Sequence, residues 1–213
     1  MRAPVKRPYD NSRRQAHLRA TRRRIIEAAT TLFIQHGYPA TTLEAIAAAG
    51  DTSLPTLYRL FSSKRALLTA VLDTAFGGDD QPIAFGDRPA VQAALSQPDA
   101  MAMLRAFARI GRDFMTRSSA IMHVLATAAQ VDPEVAGLLD EIRRQRLEGQ
   151  SRIVAALSAR DALDPALPVA EAADITYLVL SPEVHRILTV ERGWTADQYE
   201  QWLVRSLGAL LRR

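Results

Sequence analysis

The chain between residues 52 and 64 carries hydroxyl, guanidinium and ammonium donors on one short predicted helix and the start of the next. Thr52 or Ser53 can cap the short helix, and Pro55 suits its first turn, where no intrahelical N–H bond is lost. Leu57 and Phe61 share one face and should point into a core. The outer face is left with side chains that can contact base edges and phosphate oxygens, namely Leu54, Thr56, Tyr58 and Arg59.

Another short helix precedes this one across a tight turn. Thr41 followed three residues later by Glu44 is a capping-box pattern, which predicts that a helix begins there. Gly50 and Asp51 end it, because both residue types tolerate the positive φ that a turn can require. Two short helices across such a turn indicate a helix-turn-helix, which places its second helix in the major groove of DNA.

Longer helices flank this pair. Residues 21–36 carry apolar side chains at helical spacing and form the predicted first helix. After the pair, Ser62 or Ser63 can cap a fourth helix that runs to about residue 76. The sequence therefore predicts a DNA-binding domain over residues 21–68, linked to the rest of the chain by the fourth helix.

The motifs of this stretch resemble those of the TetR (tetracycline-repressor) family of bacterial regulators. The resemblance runs from about Arg24 to Leu68. It implies an all-α protein, with an N-terminal three-helix helix-turn-helix domain and a C-terminal helical domain that binds a ligand and dimerises. The turn Gly50-Asp51-Thr52 differs from the family's usual Ala-Gly-Val, and Leu60 stands where His or Tyr is common. The motifs that carry the resemblance are Ile46-Ala47, Ser53-Leu54-Pro55-Thr56-Leu57-Tyr58-Arg59-Leu60-Phe61, Ser63-Lys64 and Leu67-Leu68.

The resemblance also implies a function. We expect a sequence-specific transcriptional regulator, a repressor, that binds a palindromic operator in double-stranded DNA as a homodimer and responds to a small-molecule effector. A helical scaffold or ligand-binding protein whose basic head makes non-specific anionic contacts is the alternative. The implied contacts are Leu54 and Thr56 to base edges, Thr42, Tyr58 and Lys64 to phosphates, and Arg59 to either, with Pro55 beside them.

Charge is distributed unevenly along the chain. Residues 1–68 contain twelve Lys and Arg against four acidic residues, a net charge of +8, whereas the whole chain carries +4. This asymmetry is typical of a basic nucleic-acid module joined to an acidic body. We interpret residues 1–20 as a basic flexible arm that could contact phosphates along the minor groove. A disordered arm without contacts remains open, and Ser12 with Gln15 could cap an early extension of the first helix.

Composition narrows the class of protein. The 213 residues include no cysteine, which excludes disulfides and thiolate metal sites and fits the reducing cytoplasm of a bacterium. No apolar run reaches the roughly 18 residues of a membrane span, so we expect no membrane association. The four histidines form no metal or catalytic motif, and no Gly-rich phosphate loop is present. We therefore expect no enzyme activity, no metal and no cofactor.

A turn-rich connector at residues 77–89 leads to a helical domain at 90–213. Periodicity predicts helices there at about 90–96, 99–117, 119–130, 133–159, 168–191, with Pro182 kinking or interrupting the chain, and 195–212. Methionines and aromatic residues on neighbouring helices could line an adaptable pocket, although such clusters are more often plain core. The candidates for an effector pocket are Met103, Phe107, Phe114, Met122 and Tyr177.

Residues 143–146 are a charge run in this domain. Because Glu141 and Glu148 are nearby, the run favours a solvated helical face over a second nucleic-acid patch.

The last helix is predicted to begin at a Thr195 and Gln198 capping box. It has more apolar surface than one subunit should cover, so we expect it to pair with a second subunit across a two-fold axis. An intramolecular core helix is the open alternative. The predicted dimer interface is Tyr177, Leu188, Trp202, Leu203, Leu207 and Leu210.

Overall fold

The computed structural model describes the backbone of residues 11–78 and 85–211 and the side chains of residues 14–78 and 85–209. Every regular element in these ranges is helical, which confirms the predicted all-α class. The α-helices are α1 Asn11–Ala40, α2 Leu43–Ala49, α3 Leu54–Leu60, α4 Lys64–Gly77, α5 Pro89–Leu95, α6 Ala100–Ala128, α7 Pro133–Ser158, α8 Val169–Val179, α9 Pro182–Arg186 and α10 Ala196–Leu211. No helix in the described ranges is long and apolar enough to cross a membrane.

The first helix is longer than the sequence predicted. It begins at Asn11, so residues 11–20 are helical where a flexible arm was expected, and residues 1–10 lie outside the described part. Residues 11–20 contain neither Gly nor Pro and include three Arg, two Ala and a Leu, which favour a helix. Gly37 interrupts α1 with φ 77 and ψ 163, a backbone conformation that glycine tolerates best.

Two compact units make up the chain, with the boundary between Val71 and Leu72. In the N-terminal unit, α1, α2 and α3 enclose a small core with α4. Its fully buried side chains are Ile25, Ala29, Phe33, Ile46, Leu57, Leu67 and Leu68. Each of these positions is apolar at helical spacing, so burial of one stripe per helix is enough to close the unit.

The C-terminal unit is arranged around α6, which contacts α5, α7, α9 and α10. Asp99 caps it by accepting a hydrogen bond from Ala102 N at 2.6 Å. The sequence predicted two helices here, at 99–117 and 119–130, but α6 is continuous. Ser118 does not begin a new helix, because its hydroxyl donates to Phe114 O at 2.7 Å inside the same helix and the side chain is buried.

The segment after α8 is irregular. The helix ends at Val179, and Ser181 caps the short α9 by accepting from Val184 N at 3.2 Å. Pro182 thus interrupts the predicted 168–191 helix, and a π-helical turn follows at Ile187–Glu191. Because a π turn shifts the hydrogen-bond ladder by one residue, the side chains of this segment do not follow one helical periodicity.

Candidate nucleic-acid interface

Thr42, not Thr41, caps α2. The Thr42 hydroxyl accepts from Ala45 N at 3.1 Å. The Thr41 side chain is buried, and its hydroxyl lies 2.8 Å from Gly37 O and 3.1 Å from Leu32 O, to which it donates. The predicted capping box is therefore wrong, because carbonyls at the end of α1 already hold the hydroxyl that would have capped α2.

The turn between α2 and α3 is fixed against α1. Gly50 has φ −85, and the positive φ of the turn falls on Asp51 at 48. Glycine is needed at residue 50 for a different reason. A Cβ there would lie 3.2 Å from Ile46 O and 3.4 Å from the Cα of Ile25, so the end of α2 lies directly on the α1 backbone. A Cβ at residue 50 would therefore require a shift of a few tenths of an ångström between the two helices.

Arg24 reinforces this contact. Its Nε donates to Gly50 O at 3.3 Å and one terminal nitrogen to Asp51 O at 3.4 Å. A guanidinium with several donors can serve two carbonyls at the exposed end of a helix, where no intrahelical partner exists. The side chain therefore ties α1 to the turn and fixes the direction in which α3 leaves it.

The helix α3 has the two faces that the sequence predicted. Ser53 caps it by accepting from Thr56 N at 3.3 Å, and the two hydroxyl oxygens lie 2.9 Å apart. Leu57 and Phe61 are 0% and 4% exposed, which fixes the rotation of the helix about its axis. The other predicted residues of α3 are on or near the surface: Pro55, Tyr58 and Arg59 are exposed, and Leu54 and Thr56 are half-buried. We call Thr42, Leu54, Pro55, Thr56, Tyr58, Arg59 and Lys64 the reader surface.

Lys64 opens α4 and is held by α1. Ser63 caps α4 by accepting from Ala66 N at 3.0 Å. The Lys64 Nζ lies 3.3 Å from Pro39 O and 4.4 Å from the centre of the Tyr38 ring. A cation in the first turn is disfavoured by the helix dipole, but a phosphate at that helix end would be attracted by both. The ammonium is thus positioned before any anion arrives.

Another arginine of α1, Arg22, contacts Phe61 at the C-terminal end of α3. The guanidinium carbon of Arg22 is 5.2 Å from the centre of the Phe61 ring, while the side chain as a whole is exposed. A planar guanidinium over an aromatic face is a favourable cation–π contact. Sequence reasoning counted this residue only as charge, and nothing in its spacing from Phe61 could have identified the pair.

The predicted pocket residues do not gather at one place. Met103, Phe107 and Met122 are buried in or beside the core of the C-terminal unit. Phe114 instead contacts two rings, Phe76 at 5.3 Å and Phe85 at 5.1 Å. Tyr177 lies under the guanidinium of Arg146, 4.4 Å away. A shallow cavity of about 280 Å³ between α6 and α7 is lined by none of the five predicted residues.

The predicted dimer interface needs correction. Leu203 and Leu207 are 0% and 1% exposed because the apolar stripe of α10 packs within its own unit, mainly against α6, so these two predictions are wrong. The intramolecular alternative holds for this stripe. Trp202, Leu188 and Tyr177 are half-buried, and the Leu210 side chain lies outside the described part. The large apolar side chains that are exposed between residues 169 and 190 are Val169, Leu178, Ile187 and Val190.

Known proteins share both the motif and the fold. Residues 25–71 match the family of bacterial regulatory proteins called tetR. The chain is 30% identical over 154 residues to the HTH-type transcriptional regulator TcmR of Streptomyces glaucescens, covering 71% of this chain and 65% of that one. Residues 25–71 belong to the tetR family. It is also 36% identical over 74 residues to the HTH-type transcriptional repressor ComR of Escherichia coli K12, spanning only 33% of this chain and 35% of that repressor.

The fold extends the likeness beyond the sequence match. The structure of SmeT in complex with triclosan superimposes with a TM-score of 0.70 at 16% identity, covering 91% of this chain and 92% of that one. The N-terminal helix-turn-helix and the C-terminal helical unit therefore have the fold of that structure. Arg22 and Arg24 lie just before the matched residues 25–71.

The corrected cap of α2 generates a stability prediction. We expect Thr42→Ala to lower the free energy of unfolding of the N-terminal unit by about 1 kcal/mol, because one backbone N–H of α2 loses its acceptor. Glu44→Ala should change it by less than about 0.5 kcal/mol, since an exposed side chain outside a capping box contributes little. Urea unfolding followed by far-UV circular dichroism measures both. A larger loss for Glu44→Ala than for Thr42→Ala would restore the capping box at Thr41.

Proposed function

We propose that this protein is a sequence-specific DNA-binding transcriptional repressor of the TetR family that acts as a homodimer and responds to a small-molecule effector. The observation that carries the proposal is the rotation of α3. Burial of Leu57 and Phe61 turns Tyr58, at 50% exposure, and Arg59 outward. A helix fixed in this way can enter a major groove without rearranging. ComR supports the repressor assignment, since it is named as a repressor.

The reader surface divides into two kinds of contact. Thr56 and Leu54 lie near the start of α3, where a recognition helix approaches the base edges; Leu54 can make only apolar contact, such as with a thymine methyl group. Thr42, Tyr58 and Lys64 supply donors for phosphate oxygens, which set the register on the duplex but carry no sequence information. Arg59 can serve either role. Sequence specificity would then depend on the few side chains that contact bases, whereas DNA affinity would also depend on those that contact phosphates.

Selection from random duplex DNA tests the central proposal. The purified full chain is incubated with the library at near-physiological salt, and the retained DNA is sequenced. We expect enrichment of one inverted repeat, because two readers related by a two-fold axis should bind two half-sites of opposite orientation. Retention without any enriched sequence, vanishing as salt rises, would contradict the proposal and favour a scaffold with a basic head.

The salt dependence of DNA binding tests the assignment of Lys64. Lys64→Met keeps an apolar stem beside Tyr38 but removes the charge. We expect it to weaken binding to all sequences about equally. The slope of log K against log salt should fall by about 1.8, because the homodimer loses one phosphate contact worth about 0.9 in each subunit.

The control for this measurement is Arg105→Met, which removes one positive charge from an exposed position on α6 in the C-terminal unit. Its slope should equal that of the unchanged protein. If Lys64→Met leaves the slope unaltered, or if Arg105→Met lowers it equally, Lys64 does not contact phosphate.

A dimer surface is proposed around the exposed apolar side chains that follow α7. Leu178 is 63% exposed, and Val190 is 71% exposed. Large exposed apolar side chains concentrated in one segment mark an interaction surface more often than chance exposure does. A second copy of the chain is the partner we propose, because a palindromic operator needs two readers. Half-buried Tyr177 and Leu188 belong to the same segment, so the predicted interface is retained there and abandoned at Leu203 and Leu207.

Sedimentation velocity tests this surface. We expect Leu178→Glu to shift the protein from dimer to monomer at micromolar concentration, because burying an unpaired carboxylate in an apolar interface is strongly unfavourable. The matched control is Val131→Glu, which places the same charge at a 72% exposed valine between α6 and α7 and should leave the dimer intact. Equal behaviour of the two variants would argue against a dimer at this surface.

The proposed effector is a small molecule that binds the C-terminal unit. SmeT supports it, since that fold was determined with triclosan bound. A ligand in the C-terminal unit changes DNA affinity only to the extent that it binds one arrangement of the two readers more tightly than the other. The effector need not resemble triclosan, because a likeness of 16% identity carries the fold and not the pocket chemistry.

A further inference from the structure

Three polar side chains around the short helix α9 have buried atoms without a hydrogen-bond partner in the described part of the chain. They are the hydroxyl of Tyr199, Nδ1 of His185 and Nε of Arg146. Tyr199 is 0% exposed and His185 is 7% exposed. Buried polar atoms are nearly always paired, because an unpaired one loses its bonds to water and gains nothing. Three such atoms in one region therefore indicate a missing partner.

The three groups form one cluster between α7, α9 and α10. The rings of His185 and Tyr199 meet edge to face with their centres 4.8 Å apart. The charge of Arg146 acts on Tyr199, partly offsetting the rise in pKa that burial causes for that phenol. Trp202 stacks on the other side of Tyr199, with ring centres 5.9 Å apart. The cluster thus joins a cation, two hydrogen-bonding groups and aromatic surface.

Arg146 is the cation of this cluster. The carboxylate of Glu183 acts on its charge but forms no ion pair with it in the described part of the chain. One terminal nitrogen donates to Leu180 O at 3.1 Å and Tyr177 O at 3.4 Å, and the guanidinium lies over the Tyr177 ring. No carboxylate within the described ranges forms an ion pair with it. Burial lowers the pKa of Arg146, but a guanidinium stays charged in proteins. A mostly buried cation without a direct ion pair is unfavourable until an anion contacts it.

The two other groups are neutral and can complete the recognition of an anion. Burial lowers the pKa of His185 and raises that of Tyr199, which disfavours the charged form of each. A neutral phenol donates one hydrogen bond, and a neutral imidazole donates one from the nitrogen that carries its proton. The cluster therefore offers one positive charge and two neutral donors, which matches a carboxylate better than a dianion.

The backbone beside the cluster is the irregular segment between α8 and the π-helical turn. Both carbonyls held by Arg146 belong to the end of α8, where the helix stops before Pro182. His185 lies in the short α9, and the π turn follows directly. π turns inside helices recur at functional sites. Movement of this short segment would open the cluster without breaking the long helices α6 and α7.

We propose that Arg146, His185 and Tyr199 bind the carboxylate of a small organic acid, with its apolar part against the rings of Tyr199 and Trp202. The inference rests on the proposed function, because it names the chemical class of the effector. The guanidinium pairs with the carboxylate, while the Tyr199 hydroxyl and the His185 Nδ1–H donate to its oxygens. None of these three residues was predicted from the sequence as part of a pocket.

Thermal unfolding with acids and their amides tests the proposal. The probes are benzoate and hexanoate, compared with benzamide and hexanamide at equal concentration and at ionic strength matched with sodium chloride. We expect at least one acid to raise the Tm by about 2–4 °C at saturating concentration and its amide to raise it by less, since only the acid supplies a counter-anion. Equal shifts for acid and amide, or no shift with either acid, would overturn the proposal.

Variants separate recognition from a structural role. Arg146→Met should abolish the preference for acid over amide, whereas Arg143→Met, one turn earlier on the exposed face of α7, should retain it. Tyr199→Phe should weaken acid binding about tenfold and, without ligand, raise the Tm by about 2 °C, because it removes an unpaired buried hydroxyl. A lower Tm for Tyr199→Phe would show that the hydroxyl has a structural partner and would overturn the proposal.

The same protein preparation is also tested for selection of an inverted repeat from random duplex DNA. This shows whether the carboxylate site fails alone or together with the proposed function. Enrichment of the repeat without any preference for acids overturns only the carboxylate site. Absence of the repeat overturns the function as an operator-binding regulator.

Discussion

The contact between the end of α2 and the backbone of α1 determines the geometry of the N-terminal unit. Because a Cβ at Gly50 would lie 3.4 Å from the Cα of Ile25, the two helices touch with no side chain between them. Arg24 adds hydrogen bonds to two carbonyls of the turn. The turn cannot shift along α1, so α3 leaves it in one direction. Burial of Leu57 then fixes the rotation of α3, and the exposure of Tyr58 follows from packing on the opposite side.

A second close approach shapes the C-terminal unit. A Cβ at Gly111 of α6 would lie 3.0 Å from the Cδ2 of Leu180 at the end of α8. The chain then breaks before Pro182, which leaves carbonyls at the end of α8 without intrahelical donors. Arg146 reaches them from α7 and takes the place of the missing N–H groups. The break in α8 and the inward turn of an arginine are thus parts of one arrangement.

The sequence predicted those features whose cause lies within a few residues. Ser53 caps its helix as expected, and Thr195 with Gln198 forms the expected capping box at 2.8 and 3.2 Å, because each motif carries its own donor and acceptor. Thr41 failed because its hydroxyl found Leu32 O, nine residues away and on another helix. Local spacing contains no information about such a partner.

The periodicity of the sequence identified the apolar face of each helix but not the element or subunit that covers it. The helix α10 has the predicted apolar stripe, yet Leu203 and Leu207 pack within their own unit and not on a second subunit. The same ambiguity affected the charge run on α7. Arg144 is solvated and ion-paired with Glu141 and Glu148, as expected, whereas Arg146 points inward. Residues two positions apart on a helix, such as Arg144 and Arg146, lie about 200° apart around its axis, so one charge run reaches both surface and interior.

The inward-pointing Arg146 belongs to a candidate binding cluster, which differs from the contacts that stabilise the rest of the C-terminal unit. Most of its helix ends are satisfied by local caps, and Arg160 holds Leu95 O at 2.6 Å and Gln97 O at 3.0 Å to fasten α5. Arg112 joins α6 to Glu200 of α10 by an ion pair. Against this background, three unpaired polar atoms next to interrupted helices are a local departure from a well-satisfied interior. Natural proteins break a local rule chiefly at functional sites, with the surrounding structure carrying the cost. Since the bonds from Arg146 to the end of α8 are few and belong to a short segment, that segment can open while α6 and its neighbours keep the fold.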